Sequence, residues 1–179
     1  MYNFIQAGQQ KPLNPKTGAR QFLLARKVLQ KSGYHHYEIS NFSLPGCEST
    51  HNKNYWNRIY YIGVGPSSHS FNGKSRQWNI SNNNKYCDNI EKNIDYYKIE
   101  KLTNKNIVNE YIMTSIRTSS GINLDFFVKH MSKKEFISFN HQISNFKKSH
   151  LLTVIDKRIC LTEKGMLLAD SISEDLFLI

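Results

Sequence analysis

The chain has 179 residues and a mass of 20.9 kDa, enough for one large or two small domains and a core that needs no disulfide staples. With 39% hydrophobic, 21% charged and 12% aromatic residues, it excludes a wholly disordered chain, a collagen-like repeat and a coiled-coil rod. Its 24 Lys and Arg against 14 Asp and Glu leave a charge of +10, but the lysines are spread among asparagines, as in Asn104-Lys105-Asn106, and read as a solvated surface.

In chain order, residues 1–13 read as a lead-in. Asn14-Pro15-Lys16-Thr17 offers a helix start, with proline suited to the first turn. Phe22, Leu23, Ala25, Val28 and Leu29 follow on helical spacing, and Gly33 can end the run, which predicts a helix over 15–32. Tyr34 to Ser40 reads as a short strand, and Leu44-Pro45-Gly46 as a turn. Residues 41–58 lack clean periodicity and are expected to be an ordered loop. Tyr60 to Gly65 reads as a buried strand entering a glycine-bearing loop. Helices are predicted over 83–98 and 104–118, the second with a stripe of Ile107, Val108, Tyr111, Ile112 and Ile116. Beyond 120 come a short helix over 123–131 and a longer one over 132–149. A hairpin then turns at Asp156-Lys157, and a last helix spans 163–174. Helix, helix, hairpin, helix is a winged-helix-like order, and the expected domain boundary lies near 99–104.

No apolar run approaches the length of a membrane-spanning helix, and the first residues have no secretory-signal pattern. Cys47, Cys87 and Cys160 are an odd, scattered set. They argue against a disulfide framework, a zinc ribbon or a self-contained iron–sulfur motif, and for a reducing, cytoplasmic setting.

Four stretches concentrate the chemistry: Tyr34-His35-His36-Tyr37-Glu38-Ile39-Ser40-Asn41-Phe42, His51-Asn52-Lys53-Asn54-Tyr55-Trp56, Gly63-Val64-Gly65-Pro66-Ser67-Ser68-His69-Ser70 and Arg76-Gln77-Trp78-Asn79. Together they resemble the YEISNF, H-N-x-x-Y-W, G-x-G-x-x-x-H-S and R-x-W-N segments, in that order, of the HemW-type radical-SAM proteins. These are relatives of the oxygen-independent coproporphyrinogen III oxidases. Arg117 to Ile122 and Leu161 to Gly165 resemble the same family's C-terminal domain, so the resemblance runs over roughly 1–175.

The resemblance implies an α/β + α fold. Residues 1–100 would form the C-terminal end of a partial (β/α) radical-SAM barrel, and 101–179 a small winged-helix-like domain. It implies the C-terminal portion of a heme chaperone that binds heme and delivers it to a recipient apo-hemoprotein. An alternative is part of an oxygen-independent coproporphyrinogen III oxidase of porphyrin biosynthesis. The family's C-x-x-x-C-x-x-C triplet, which holds a 4Fe-4S cluster beside S-adenosylmethionine, does not occur in this sequence. Radical catalysis by this chain alone is therefore not expected. A partial barrel would leave a strand edge open, so an N-terminal barrel segment or self-association is an expected partner besides heme or porphyrin. A third reading is a basic winged-helix nucleic-acid binder. The middle of the 132–149 helix argues against it, with few base-reading side chains.

By the same resemblance His51 is the candidate ligand of the heme iron, a role that suits a neutral imidazole. Tyr55 and Trp56 would pack on the porphyrin face, and Asn52 would orient the imidazole. His69 is a second candidate iron ligand. Arg76, with Arg117, is a candidate for the propionates, a structural salt bridge being the competing role. Glu38 and Asn41, at the end of a predicted strand, and Gly63 and Gly65, where backbone can approach a ligand closely, are candidate cofactor contacts. A structural network around Glu38 and a simple tight turn at the glycines stay open. His35 and His36 are adjacent on a strand and point to opposite faces, so they do not form one ligand pair.

Overall fold

The computed structural model describes residues 6–8, 11 and 14–179. Most of the lead-in expected over 1–13 lies outside the described residues. The chain divides into two compact units, Met1–Glu48 and Ser49–Ile179.

In the first unit, helix α1 spans Pro15–Lys31. The Asn14 side chain accepts from the Lys16 amide, proline opens the first turn, and Gly33 follows the helix with φ +85°. Strands β1 (His35–Glu38) and β2 (Asn41–Ser43) form an antiparallel hairpin with an irregularity between His36 and Glu38. His36 joins the pieces. Its ring stacks on Phe42 at 4.1 Å and meets Phe22 at 5.9 Å. Arg26 Nε donates to His36 Nδ1 (3.2 Å), which leaves His36 Nε2–H to donate to the Ile39 carbonyl (2.9 Å). His35 is exposed, so the two histidines do face different environments.

The second unit starts with a short helix α2 (Thr50–Trp56), capped by Ser49, whose side chain accepts from the Asn52 amide. Residues 41–58 are therefore not one loop. All of β2 and all of α2 lie there, in segments too short to show an apolar stripe. Strands β3 (His69–Phe71), β4 (Ser75–Asn79) and β5 (Tyr97–Lys101) make an antiparallel sheet in the order β3-β4-β5. Tyr60–Gly65 is not a buried strand. Only Tyr61 bridges to Phe71, while Ile62 and Val64 are 87% and 86% exposed. Helix α3 (Asn83–Glu91) is capped by Asn82 and stops before Asn93, whose φ is +52°. The helix expected to run to 98 therefore ends early, and the alternating Tyr97-Lys98-Ile99-Glu100-Lys101 pairs instead with β4.

Helix α4 (Asn104–Ser115) opens on a capping box between Thr103 and Asn106. Strand β6 (Ile122–Asn123) leads into α5 (Leu124–His130) and α6 (Lys133–Lys148). The hairpin β7 (Leu152–Ile155) and β8 (Arg158–Leu161) turns at Asp156-Lys157, both with positive φ, and the sheet order is β6-β8-β7. The last expected helix is two pieces, α7 (Glu163–Met166) and α8 (Ala169–Asp175), because Leu168 leaves helical geometry. The core gathers Val108, Ile112 and Ile116 with Phe127, Phe139, Ile143, Leu152, Ile159 and Ile172. Among the described residues the chain is thus a mixed α/β protein of small antiparallel sheets and no closed barrel.

Candidate functional site

His51 stands in the first turn of α2, exposed, with its ring edge-on to Tyr55 at a centroid distance of 4.8 Å. The spacing of four residues puts the two rings on one helix face. No hydrogen bond to either His51 ring nitrogen occurs among the described residues. Asn52 is one position on and turns to another side of the helix. Its described bond is the backbone one to Ser49. Tyr55 continues to Tyr61 (4.7 Å), and Tyr61 to Phe71 (6.1 Å), so an aromatic run leads from the exposed histidine to the base of the sheet. Trp56 is half-buried at the end of α2.

At that base lies a charge cluster with no sequence signature. Arg58 Nη1 donates to Glu110 Oε2 at 2.8 Å, and Arg76 Nη1 to Glu110 Oε1 at 2.9 Å. Both guanidiniums lie over the Phe71 ring, at 4.9 and 5.9 Å from its centroid. The positive charge of Arg76 also acts on the Tyr61 phenol. Burial pushes the Tyr61 phenol above its ordinary pKa, and Arg76 partly offsets that rise. The Arg76 Nε is buried without a hydrogen-bond partner among the described residues. Arg76, a candidate for propionates, thus has a carboxylate already. Arg117 likewise pairs with Asp170 at 2.7 Å.

His69 lies on β3 directly across from Trp78, the two rings 29° from parallel and 6.5 Å apart. They line a cleft of about 420 Å³ with Ser67, Lys85 and Lys98. A larger cleft, about 600 Å³, is lined by Tyr60, Ile62, Phe71 and Ile99. His51 lines neither cleft, so the two candidate iron ligands have different surroundings.

Gly63 and Gly65 shape the approach to β3. A Cβ at Gly63 would collide with the His69 backbone carbonyl, and the Gly63 amide donates to Ser70 Oγ at 3.0 Å. Gly65 has φ +97°, and its carbonyl accepts from the buried Asn79 side chain at 2.9 Å. Both glycines are needed by the chain itself. In the first unit, Glu38 is only 5% exposed and accepts from the Ser40 amide (2.8 Å) and Asn41 Nδ2 (2.6 Å). Glu38 and Asn41 are thus brought together, as the closure of the β1–β2 turn.

A 4Fe-4S cluster does not fit these residues. Among the described residues no group of three or more His, Cys, Asp or Glu is placed to hold a metal ion, and Cys47 lies in the loop before α2, Cys87 in α3 and Cys160 in β8. No described helix is long and apolar enough to cross a membrane.

Residues 102–168 match the family described as HemN C-terminal domain. The heme chaperone HemW of Bacillus subtilis is 26% identical over 172 residues, covering 96% of this chain and 45% of the relative. That of Lactococcus lactis is 31% identical over 153 residues, covering 84% and 40%. The solved coproporphyrinogen III oxidase (HemN) of Escherichia coli, a radical SAM enzyme, superimposes on 87% of this chain and 39% of its own. The TM-score is 0.66 at 16% identity, a likeness of fold. The chain spans less than half the length of these relatives. Matched by the C-terminal domain at one end and by HemW-type sequences over nearly all its length, it corresponds to the C-terminal part of HemW-type radical-SAM proteins.

Proposed function

We propose that this chain carries the heme-holding part of a HemW-like heme chaperone, with His51 as axial ligand to the iron of its cargo. The supporting observation is the exposed His51 ring, with neither nitrogen hydrogen-bonded among the described residues and the Tyr55 ring set at its edge. On this reading the imidazole supplies the iron ligand, and Tyr55 and Trp56 give the porphyrin flat apolar contact. His69, beside Trp78, is a second position for the ring or its iron. Asn52, Arg76, Gly63 and Gly65 act by holding the loops and turns of the second unit, and Glu38 and Asn41 by closing the β1–β2 turn of the first.

The finer architecture belongs to the same proposal. Residues 1–100 would close the end of a radical-SAM barrel, and 101–179 would be its winged-helix-like cover. The 4Fe-4S cluster and S-adenosylmethionine would sit on a barrel segment supplied from outside these residues. Delivery would be to an apo-hemoprotein in the cytoplasm.

The test is a heme titration followed by absorbance, on this chain and on His51→Ala. A saturable Soret band that shifts and weakens in the variant is the expected result. Identical spectra in both proteins would remove His51 and turn attention to His69→Ala. No uptake by the folded chain would overturn the assignment of the site to these residues alone.

A further inference from the structure

We infer that Glu110 is a positioning residue for the His51 helix, so that α4, inside the HemN C-terminal domain, sets the pose of a site more than fifty residues upstream. Two routes run from its carboxylate to His51. The first is backbone. Glu110 Oε2 holds Arg58, two residues past the end of α2, and Arg58 has φ +56°. A branched-free but non-glycine residue keeps that left-handed conformation only where its surroundings hold it. The second is side chain to side chain. Glu110 Oε1 holds Arg76, Arg76 lies over the Phe71 ring, Phe71 meets Tyr61, Tyr61 packs on Tyr55, and Tyr55 on His51.

Charge makes the carboxylate hard to replace. One anion stands between two guanidiniums, all three side chains no more than about a third exposed, with both cations laid on Phe71. Removing the negative charge leaves two cations facing each other, and Arg76 Nε already lacks a partner among the described residues. Relief requires Arg58 to swing away, which carries the end of α2 with it.

The test uses Glu110→Gln, which keeps shape and removes charge, beside Glu110→Asp and Arg58→Met. The first readout needs no heme: amide hydrogen exchange at residues 50–58. Glu110→Gln should speed exchange there by about tenfold, while amides of α6 and of the β7–β8 hairpin stay as in the parent chain. In an Arg58→Met background the same change should add less, because the backbone route is gone and only the route through Arg76 remains. The second readout rests on the heme reading above: Glu110→Gln should move the Soret band and affinity toward those of His51→Ala, and Glu110→Asp should restore part of the difference. Unchanged exchange over 50–58 in Glu110→Gln overturns the inference. So does faster exchange at α2 with unaltered heme spectrum and affinity. If the parent chain takes up no heme, the heme reading fails by itself, and the exchange data still decide whether Glu110 positions α2.

Discussion

Residues 49–101 and 102–179 solve the same problem differently. Every buried apolar side chain of the described chain except Phe71 lies from Val108 onward. The later region packs its helices and a small sheet around one core. The earlier region shows Tyr60, Ile62, Val64, Ile94 and Ile99 to solvent and is ordered by caps, aromatic edges, a three-stranded sheet and the Arg58–Glu110–Arg76 cluster. Apolar burial is non-directional and tolerant, whereas hydrogen bonds and ion pairs fix geometry at small net energy. The comparison therefore assigns stability to the later region and shape to the earlier one.

The largest expected effect tests that assignment directly. Phe127 is fully buried and touches the rings of Tyr111, Phe126 and Phe139. Phe127→Ala should cost about 3–5 kcal/mol in a denaturant titration. Ile62→Ala should stay within about 0.5 kcal/mol. Equal losses would break the comparison.

Next comes Gly121, at φ +63°, where a Cβ would clash with the Ile159 carbonyl and lie 2.6 Å from Cys160 Sγ. Gly121→Ala combines overpacking with a left-handed penalty and should cost about 2–4 kcal/mol. Gly46, also at positive φ but with open space around it, should lose only the conformational part, about 1 kcal/mol. Similar losses at both positions would deny the tight packing of β6 against β8.

The smallest effect sharpens the boundary between the regions. Burial holds His130 below the ordinary histidine pKa, and the positive charges of Arg58 and Lys129 push the same way. Its unfolded form then binds a proton first as pH falls, so stability is full above the usual histidine pKa and declines as pH drops toward the folded value. Melting temperature should fall slightly between about pH 7 and 5. His130→Gln should flatten that slope, and Arg58→Met should reduce it. An unaltered slope in Arg58→Met would sever the electrostatic link between the regions.

Much of the later region was legible in the sequence because its periodicity is long. The stripe Val108, Ile112, Ile116 is buried as expected, and Phe139 and Ile143 carry the inner face of α6. The Asp156-Lys157 turn was also legible, since two apolar runs flank it. The earlier region was not, and for physical reasons. Helix α2 has seven residues and no buried side chain, so its signal is the Ser49 cap alone. Strand β5 follows a helical stretch after a short turn, and its alternation was absorbed into the helix. The candidate site shows the same division: His51 and Tyr55 meet because they are four apart on a helix. Arg58 and Glu110 meet only because the chain folds, and nothing near either residue announces the other.

The turn at Asp156-Lys157 also orders events in time. Ile159 is paired on one side with Val154, five positions away across the turn, and on the other with Ile122, across the whole of α5 and α6. The entropy lost in closing a loop rises with its length, and short hairpins close within microseconds. The two halves of that sheet therefore carry different assembly costs: β7 and β8 can zip together as a local unit. Docking of β6 waits until the two helices between them have shortened the chain, which leaves Ile122 the late arrival to a strand already half paired.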